Sequence, residues 1–560
     1  MKKNIPYMAL LAGGLALTAG CGKDFLDTKI DTNATPSTII TDRATLYTFG
    51  NAFYASLPYG FSAIDNNLFA AVSDEAQQTN PVNDVQVFNQ GSLNAASNPD
   101  EASYKRLYEG IRAANFYLEY STGWREFIAR NRDTVADVTN YNRDKLFIHW
   151  YRGEAHIARA YYYAELIKRY GRVQFIETTY AQNPNAALPQ KSYDEIVDWI
   201  VSEIDTYKDS LVSNWRVAGY ADQDGRFSRG SALALKSRVL LYAASPLNNP
   251  TNDVSRWERA AAAARDLLAA TELDYALHTG GYGSYFMGNN PLTSKETILA
   301  VRRPAGNSPE MLNYPISTPG GRSGVTPSHN LVAAYEYTGA PDPADPYKNR
   351  DPRLAASIVT NGSNWNGRMI DQSPGGADDM AKTNSSKTGY YLKKFLTDQL
   401  NLTQGGTAQH NWVLFRYAEV LLNYAEAMNE AYGPDQAPAG FPYSARAALQ
   451  LVRDRASASL PVVVAASKNE FRVAVKHERR VELAFEDHRY WDLLRWKDAA
   501  GVLNQPLLGV TVGRNPDNTF SYTVTQVTPR VFRDPAMYRY PFSQAEVAAA
   551  KGAITQNTGY

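Results

Sequence analysis

Apolar residues recur every three or four positions over long stretches of the chain, which is the period of an amphipathic helix. The clearest stripe lies in residues 147–173, where a glycine at position 171 supplies the usual stop. Its apolar members are Ile148, Tyr151, Ala155, Ala158, Tyr162 and Leu166. This pattern predicts one long helix that ends at Gly171.

Similar patterns predict helices at 192–211, 229–244, 255–270 and 412–432, and a capped helix from about Thr41. The stripe in 412–432 ends at Gly433-Pro434. Small alanines between Tyr and Leu allow such helices to pack closely in pairs. We therefore predict an all-α fold built from antiparallel helical hairpins of the tetratricopeptide kind, although the sequence shows no clean repeat at the expected period.

Two segments, 73–100 and about 275–410, have a different texture, rich in Gly, Pro, Asn and Ser with aromatic residues among them. Loops of this length in a compact domain are uncommon and are usually functional or disordered. The embedded Tyr, Trp and Arg residues favour ordered, functional loops. We expect the helices to form a scaffold and these loops to form an irregular ligand-binding face.

The start of the chain reads as an export leader, because Lys2 and Lys3 precede an apolar run from Ile5 to Leu17 that is too short to span a bilayer. Small residues then lead into Cys21, the single cysteine of the chain. This arrangement predicts a lipoprotein signal peptide over 1–20, cleaved before a lipid-modified Cys21. The alternative is an ordinary secretory signal followed by an incidental cysteine.

The balance of charges in the chain argues against one class of partner. Lys plus Arg and Asp plus Glu both number 57, so the formal net charge is zero, which argues against a nucleic-acid partner. Aromatic residues make up 12% of the chain. Amphipathic rings suit proteins that stack on flat polar ligands such as sugars, but large helical proteins also use tyrosine between helices.

The most distinctive run, KHERRVELAFEDHRYWDLLRW at 476–496, places Glu478, Glu482 and Glu486 on one face of a predicted helix. Like charges at this spacing repel unless cations neutralise them. Two glutamates could serve as the acid and base of a glycosidase. Alternatively, His477 or His488 could bind a metal ion together with the glutamates, although no HExxH motif is present. We favour a structural, charge-laced helix, with no catalytic residue and no metal site.

Several blocks, in order along the chain, together resemble the SusD/RagB family of outer-membrane lipoproteins from Bacteroidota. They are the start CGKDFLD, RGEAHIARAYYYAELIKRYGRV at 152–173, LFRYAEVLLNYAEAMNEA at 414–431, ERRVELAFEDHRYWDLLRW and the tail YRYPFSQAEVAAAKGAITQNTGY. The resemblance implies a non-enzymatic, cofactor-free glycan-binding protein at the cell surface. It also implies a TonB-dependent outer-membrane transporter as partner.

On this interpretation the mature chain comprises a lipid-anchored tether (21–45), an N-terminal helical region (46–272) and a C-terminal region with loop insertions (273–560). The mature protein would lie at the outer membrane and face the extracellular side. Peptide uptake and surface glycoside hydrolysis remain alternative functions. Sugars need both stacking rings and hydrogen-bonding partners, so the expected ligand contacts are Asp74, Asn83, Phe88, Tyr282, Tyr285, Arg322, Trp365, Arg368 and Tyr390.

Overall fold

The computed structural model describes residues 39–179 and 188–560. The predicted signal peptide, the lipidation site Cys21 and most of the predicted tether lie outside the described residues.

Helices dominate the described part of the chain. They are α1 (Arg43–Ala52), α2 (Val85–Asn89), α3 (Glu101–Tyr120), α4 (Trp124–Ala129), α5 (Val138–Tyr170), α6 (Tyr193–Tyr207), α7 (Arg229–Ala244), α8 (Val254–Ala269), α9 (Tyr282–Tyr285), α10 (Asn290–Thr293), α11 (Ser308–Asn313), α12 (His329–Val332), α13 (Pro352–Ser357), α14 (Tyr417–Tyr432), α15 (Ala445–Arg453), α16 (Lys468–Glu482), α17 (Arg489–Arg495), α18 (Ala499–Val502) and α19 (Gln544–Ala549).

Most of the strands are short, and the described ones pair into antiparallel two-stranded sheets. They are β1 (Ala76–Gln78), β2 (Val173–Gln174), β3 (Gln190–Lys191), β4 (Thr297–Val301), β5 (Val325–Pro327), β6 (Ile358–Val359), β7 (Asn364–Trp365), β8 (Arg368–Met369), β9 (Tyr391–Leu392), β10 (Trp412–Arg416), β11 (Leu507–Arg514) and β12 (Phe520–Thr528). The pairs are β1–β5, β2–β3, β4–β10, β6–β9, β7–β8 and β11–β12.

The long helices pack as neighbours in sequence, α5 with α6, α7 with α8, and α14 with α15, while α14 also packs on α8 and α3 on α5. This arrangement confirms the prediction of a mostly helical fold. Apolar side chains from both the helices and the loops join one continuous core. The small sheets were not predicted. Most of their strands have two to five residues, which leave little alternating pattern in a sequence, and the longer β11 and β12 were missed as well.

Local signals set the helix ends. The helix predicted from about Thr41 begins at Arg43, and its N-cap Asp42 accepts a hydrogen bond from the backbone of Thr45. Gly171 ends α5 with a φ of +78°, in the left-handed region that favours glycine. The predicted helix 412–432 divides into strand β10 and helix α14, because residues 412–416 pair with β4.

The distinctive run 476–496 is two helices instead of one. α16 ends at Glu482 and α17 begins at Arg489. Between them Phe485 and Asp487 have φ values of +66° and +62°, which break the helical path. Glu486 therefore leaves the face it was predicted to share with Glu478 and Glu482.

A buried ion network, which we call the charged hub, joins this run to the loop region. Arg416 on β10 lies at its centre, with N–O distances of 2.7 Å to Glu296, 2.7 Å to Glu482 and 2.6 Å to Glu486. All ten members have side chains at most 5% exposed. The carboxylates are Asp351, Glu296, Glu478, Glu482 and Glu486, and the cations are Arg353, Lys394, Arg416, Arg453 and Arg455.

The hub explains how acidic residues coexist on one helix face. Glu482 faces three arginines that come from β10, α13 and the residues just after α15. Burial alone would raise the pKa of Glu482, but Arg455, Arg416 and Arg353 lower it to about 2. The cations that neutralise this helix therefore come mainly from distant parts of the chain.

We expect Glu482→Gln to lower the free energy of unfolding at pH 7 by about 3–5 kcal/mol, because it leaves buried cations uncompensated. The pKa of Glu482 falls from 4.5 to about 2 on folding. Its stabilising contribution is therefore complete above about pH 4.5 and is lost as the pH falls toward 2. Chemical denaturation at several pH values should show a weaker acid dependence in the variant.

Asp198→Asn is the matched control, since Asp198 pairs with Arg259 at 3.2 Å on the surface, where both side chains are mostly exposed. It should leave the denaturation midpoint almost unchanged. A Glu482→Gln protein as stable as the wild type at pH 7 would contradict the role assigned to the hub.

Candidate ligand-binding face

Three loop segments, residues 65–83, 312–324 and 364–380, meet on one side of the molecule, and we call this surface the loop face. Strand pairing holds the first two together, with Gln78 opposite Val325. The N–H of Thr79 continues this pairing by donating to the carbonyl of Gly324 at 2.9 Å. Chain segments far apart in sequence are thus fixed side by side.

The third segment joins the face through the β7–β8 hairpin. Arg368 donates to Thr318 and to Asp378, both at 3.1 Å. The Trp365 ring packs edge-on against Tyr314, with 5.4 Å between ring centroids. The hairpin is therefore anchored by one buried ring and one bridging guanidinium.

Polar side chains cover the outside of the loop face. Exposed members are Asp65, Asn66, Asn80, Arg322, Asn364 and Asn366. Asp65, Asn66 and Asn366 have φ values of +44°, +60° and +51°, and such left-handed residues cluster in loops whose shape is imposed by their surroundings. Val82 and Met369 add two exposed apolar groups.

Three of the nine predicted contact residues have side chains on this surface. Asn83 is half-buried and donates to Asp65 at 2.7 Å. Arg368 is half-buried in the bridge just described. Arg322 is exposed, and none of its hydrogen-bonding groups pairs with a side chain or backbone group in the described ranges.

The five predicted stacking rings are buried, which corrects the expectation that they face a ligand. Trp365, Phe88, Tyr282, Tyr285 and Tyr390 are at most 2% exposed. Three of them use their hydroxyls inside the protein. Tyr282 donates to the carbonyl of Glu482 at 2.6 Å, Tyr285 bonds Thr297 at 2.7 Å, and Tyr390 bonds His329 at 2.8 Å.

Asp74 is also an internal residue. Its carboxylate lies 2.6 Å from Arg480 and 2.7 Å from Arg489. Burial opposes ionisation, but these two guanidinium groups hold the pKa of Asp74 well below its usual range. Asp74 therefore fastens the loop at 73–78 to the run 476–496 instead of contacting a ligand.

An aromatic ring that sequence reasoning missed does reach the surface. Tyr337 is 41% exposed, and the guanidinium carbon of Arg350 lies 4.3 Å from its ring centroid. Half-buried Tyr347 packs edge-on against Tyr522 at 5.4 Å, and Tyr522 in turn accepts from Asn361 at 3.4 Å. The Tyr337 hydroxyl donates to the carbonyl of Pro346, the residue before Tyr347, at 3.3 Å. We call Tyr337, Tyr347 and Tyr522 the tyrosine patch, and Tyr522 links it to the chain that enters the β7–β8 hairpin.

The glutamates considered as a catalytic pair are poor candidates for acid–base chemistry. Glu486 lies 2.7 Å from Lys394 and 2.6 Å from Arg416, and Glu482 is fully enclosed by arginines. A general acid needs a carboxyl group that keeps its proton near neutral pH. The low pKa of Glu482 means that its carboxyl group is ionised near neutral pH, so it has no proton to donate.

Within residues 39–179 and 188–560, no group of three or more His, Cys, Asp and Glu side chains is arranged to hold a metal ion. No helix in the same ranges combines the length and the apolarity needed to cross a bilayer.

A helical scaffold that carries an amide-rich loop surface is the arrangement of a ligand-binding protein. Sequence comparison agrees with that class. A family described as the SusD family matches residues 275–560, and one described as "Starch-binding associating with outer membrane" matches residues 24–241. The chain belongs to the SusD family.

Individual relatives are distant in sequence and close in fold. "SusD-like protein P38" of Formosa agariphila is 24% identical over 461 residues, 78% of this chain and 79% of that protein. A SusD-like protein from Bacteroides fragilis has a TM-score of 0.75 at 25% identity, covering 93% of this chain and 98% of its own. A second, a SusD-like carbohydrate binding protein of B. fragilis, has a TM-score of 0.73 at 23% identity, covering 91% and 99%.

We expect Trp365→Ala to act on stability, lowering the free energy of unfolding by about 3–5 kcal/mol because it empties a buried site. Trp365→Phe should cost less, since the indole Nε1 has no hydrogen-bond partner among the described residues. Met369→Ala, an exposed change in the same hairpin, is the control. A Trp365→Ala protein that unfolds like the wild type but loses ligand binding would show that the ring contacts ligand after all.

Proposed function

We propose that this protein captures an oligosaccharide at the outer surface of the outer membrane and delivers it to a TonB-dependent transporter. Membership of the SusD family is the observation that carries the proposal. The match of residues 24–241 to a family described as starch-binding and associated with the outer membrane supports both the ligand class and the location. The carbohydrate-binding B. fragilis relative supports the same ligand class.

The geometry supports a glycan site spread over the loop face and the tyrosine patch. Amide side chains such as those of Asn83, Asn364 and Asn366 both donate and accept hydrogen bonds, as sugar hydroxyls require. Arg322 offers several N–H donors that are not engaged by protein groups in the described ranges. Tyr337 supplies the exposed ring that the apolar side of a sugar can cover.

A carrier that passes its ligand on must release it. We therefore place the affinity between micromolar and millimolar, or about 4–8 kcal/mol of binding free energy. A few polar contacts and one ring suffice for that range.

Peptide uptake is the second candidate, and Arg322 is the observation that favours it. An exposed guanidinium forms a paired hydrogen bond with a carboxylate more readily than with neutral hydroxyls. A peptide C-terminus would therefore gain more from Arg322 than a neutral glycan would.

We expect calorimetry with a panel of neutral oligosaccharides to detect binding that Tyr337→Ala weakens by about 0.5–1.5 kcal/mol beyond the loss of buried area. Arg322→Ala should weaken it further by removing hydrogen bonds. The matched controls are Tyr432→Ala, at the half-exposed end of α14, and Arg259→Ala, on α8. Binding of peptides without any glycan binding would refute the ligand class, and glycan binding unchanged in both site variants would refute the site.

Attachment to the membrane is tested separately through Cys21, which precedes the described residues. We expect the wild-type protein to incorporate a labelled fatty acid and to sediment with the outer membrane, since several acyl chains on one residue anchor a protein stably. Cys21→Ala should abolish the label and release the protein. A Cys21→Ala protein that stays labelled and membrane-bound would refute the anchor.

A further inference from the structure

A cavity of about 350 Å³ lies inside the scaffold, and Phe69 is the one residue of the three loop-face segments that lines it. Helices α3, α5 and α7 form its sides, and strand β10 and the break between α16 and α17 close it. Exposed Ala55, Ser62 and Arg303 mark its mouth. Its volume is near the lower end for small-molecule sites, which indicates room for one small ligand.

Most charges on the cavity wall already have partners. Asp100 lies 2.7 Å from Arg169, Glu165 lies 2.6 Å from Lys168, Glu486 lies 2.7 Å from Lys394, and Arg238 lies 2.6 Å from Glu419. Such paired walls offer hydrogen-bond donors and acceptors with little net charge. They suit a neutral ligand that needs both kinds of partner.

Among the carboxylates of the cavity lining, Asp487 alone forms no ion pair within the described chain. It faces the cavity from the break, where its φ of +62° holds it in the left-handed region. Its Oδ1 is buried and has no hydrogen-bond partner among the described residues. Burial raises the pKa of Asp487 to about 7, and the neighbouring Lys168 and Arg169 only partly oppose the rise, since both are committed to Glu165.

The neighbouring wall groups also suit hydroxyl ligands. His488 lines the same cavity, and burial together with nearby arginines holds its pKa well below 6.5, so its ring is neutral at pH 7. A neutral imidazole donates from one nitrogen and accepts at the other. Arg106 donates to the carbonyl of Ser56 at 2.7 Å and to the Ser103 hydroxyl at 3.1 Å, and no carboxylate pairs with it in the described chain.

We propose that this cavity is a second ligand site, separate from the loop face, that takes one neutral polyhydroxylated molecule of monosaccharide size. A ligand hydroxyl donates to the unpartnered Oδ1 of Asp487. Other hydroxyls exchange hydrogen bonds with His488 and Arg106, and the rings of Trp412 and Tyr242 on the wall contact the C–H groups. An unmet buried acceptor is costly, so satisfying it contributes to affinity.

The test is saturation-transfer difference NMR and calorimetry on the full chain, with glucose, galactose and mannose as probes and alanine as a zwitterionic comparison. We expect at least one hexose to bind. At pH 8, where the Asp487 carboxyl is mainly ionised, Asp487→Asn should weaken that binding about tenfold or more, the effect of a hydrogen bond to a charged group. Ala55→Trp should block it at the mouth, whereas Ala52→Trp, an exposed neighbour outside the cavity lining, should not.

Arg322→Ala separates this site from the proposed glycan site. Hexose binding that survives Arg322→Ala but not Asp487→Asn or Ala55→Trp supports the cavity, whatever the oligosaccharide panel shows. Absence of hexose binding, hexose binding unchanged in both cavity variants, or loss of hexose binding in Arg322→Ala would each overturn the proposal. Binding of alanine without any hexose would overturn the ligand class.

Discussion

The buried pairing between Arg416 and the glutamates around it is the constraint on which the rest of the structure depends. Removing several charges from water is expensive, and the cost is offset only when each charge keeps its full set of partners. The partners here come from segments more than a hundred residues apart. Folding of the loop region and docking of the C-terminal helices are therefore one event, because neither can bury its charges without the other.

This coupling explains how long, glycine- and proline-rich loops hold a defined surface. The hub clamps them near Glu296, Asp351 and Lys394, and the aromatic rings embedded in them are buried beneath the surface. The side chains left on the outer surface of the loops are mainly short and polar. On the proposed function, this surface of asparagines, with an arginine that pairs with no group in the described ranges, accounts for weak and readily reversed binding of the ligand.

The helical scaffold could be predicted from the sequence because its signals are local. The apolar stripe of α5, its stop at Gly171 and the caps of α1 and α6 depend on residues a few positions apart. The contact residues could not be predicted equally well. Composition identifies a loop that contains Trp365, but only the fold decides whether the ring lies under the loop or above it. Likewise, the sequence around Glu482 does not show that the cations paired with this carboxylate are Arg353, Arg416 and Arg455.

The length of the interruption between α16 and α17 also determines how these two helices are placed relative to each other. α16 presents Glu478 and Glu482 to the loops, while α17 presents Arg495 to Glu426 on α14, at 2.5 Å. Gain or loss of one residue in the six that separate them would shift α17 relative to α16, while the partners of both helices stay in place. Each half of the run would then forfeit its own set of partners. The buried ion pairs on both sides therefore constrain the length of this interruption, a constraint that the exposed side chains of the loop face do not share.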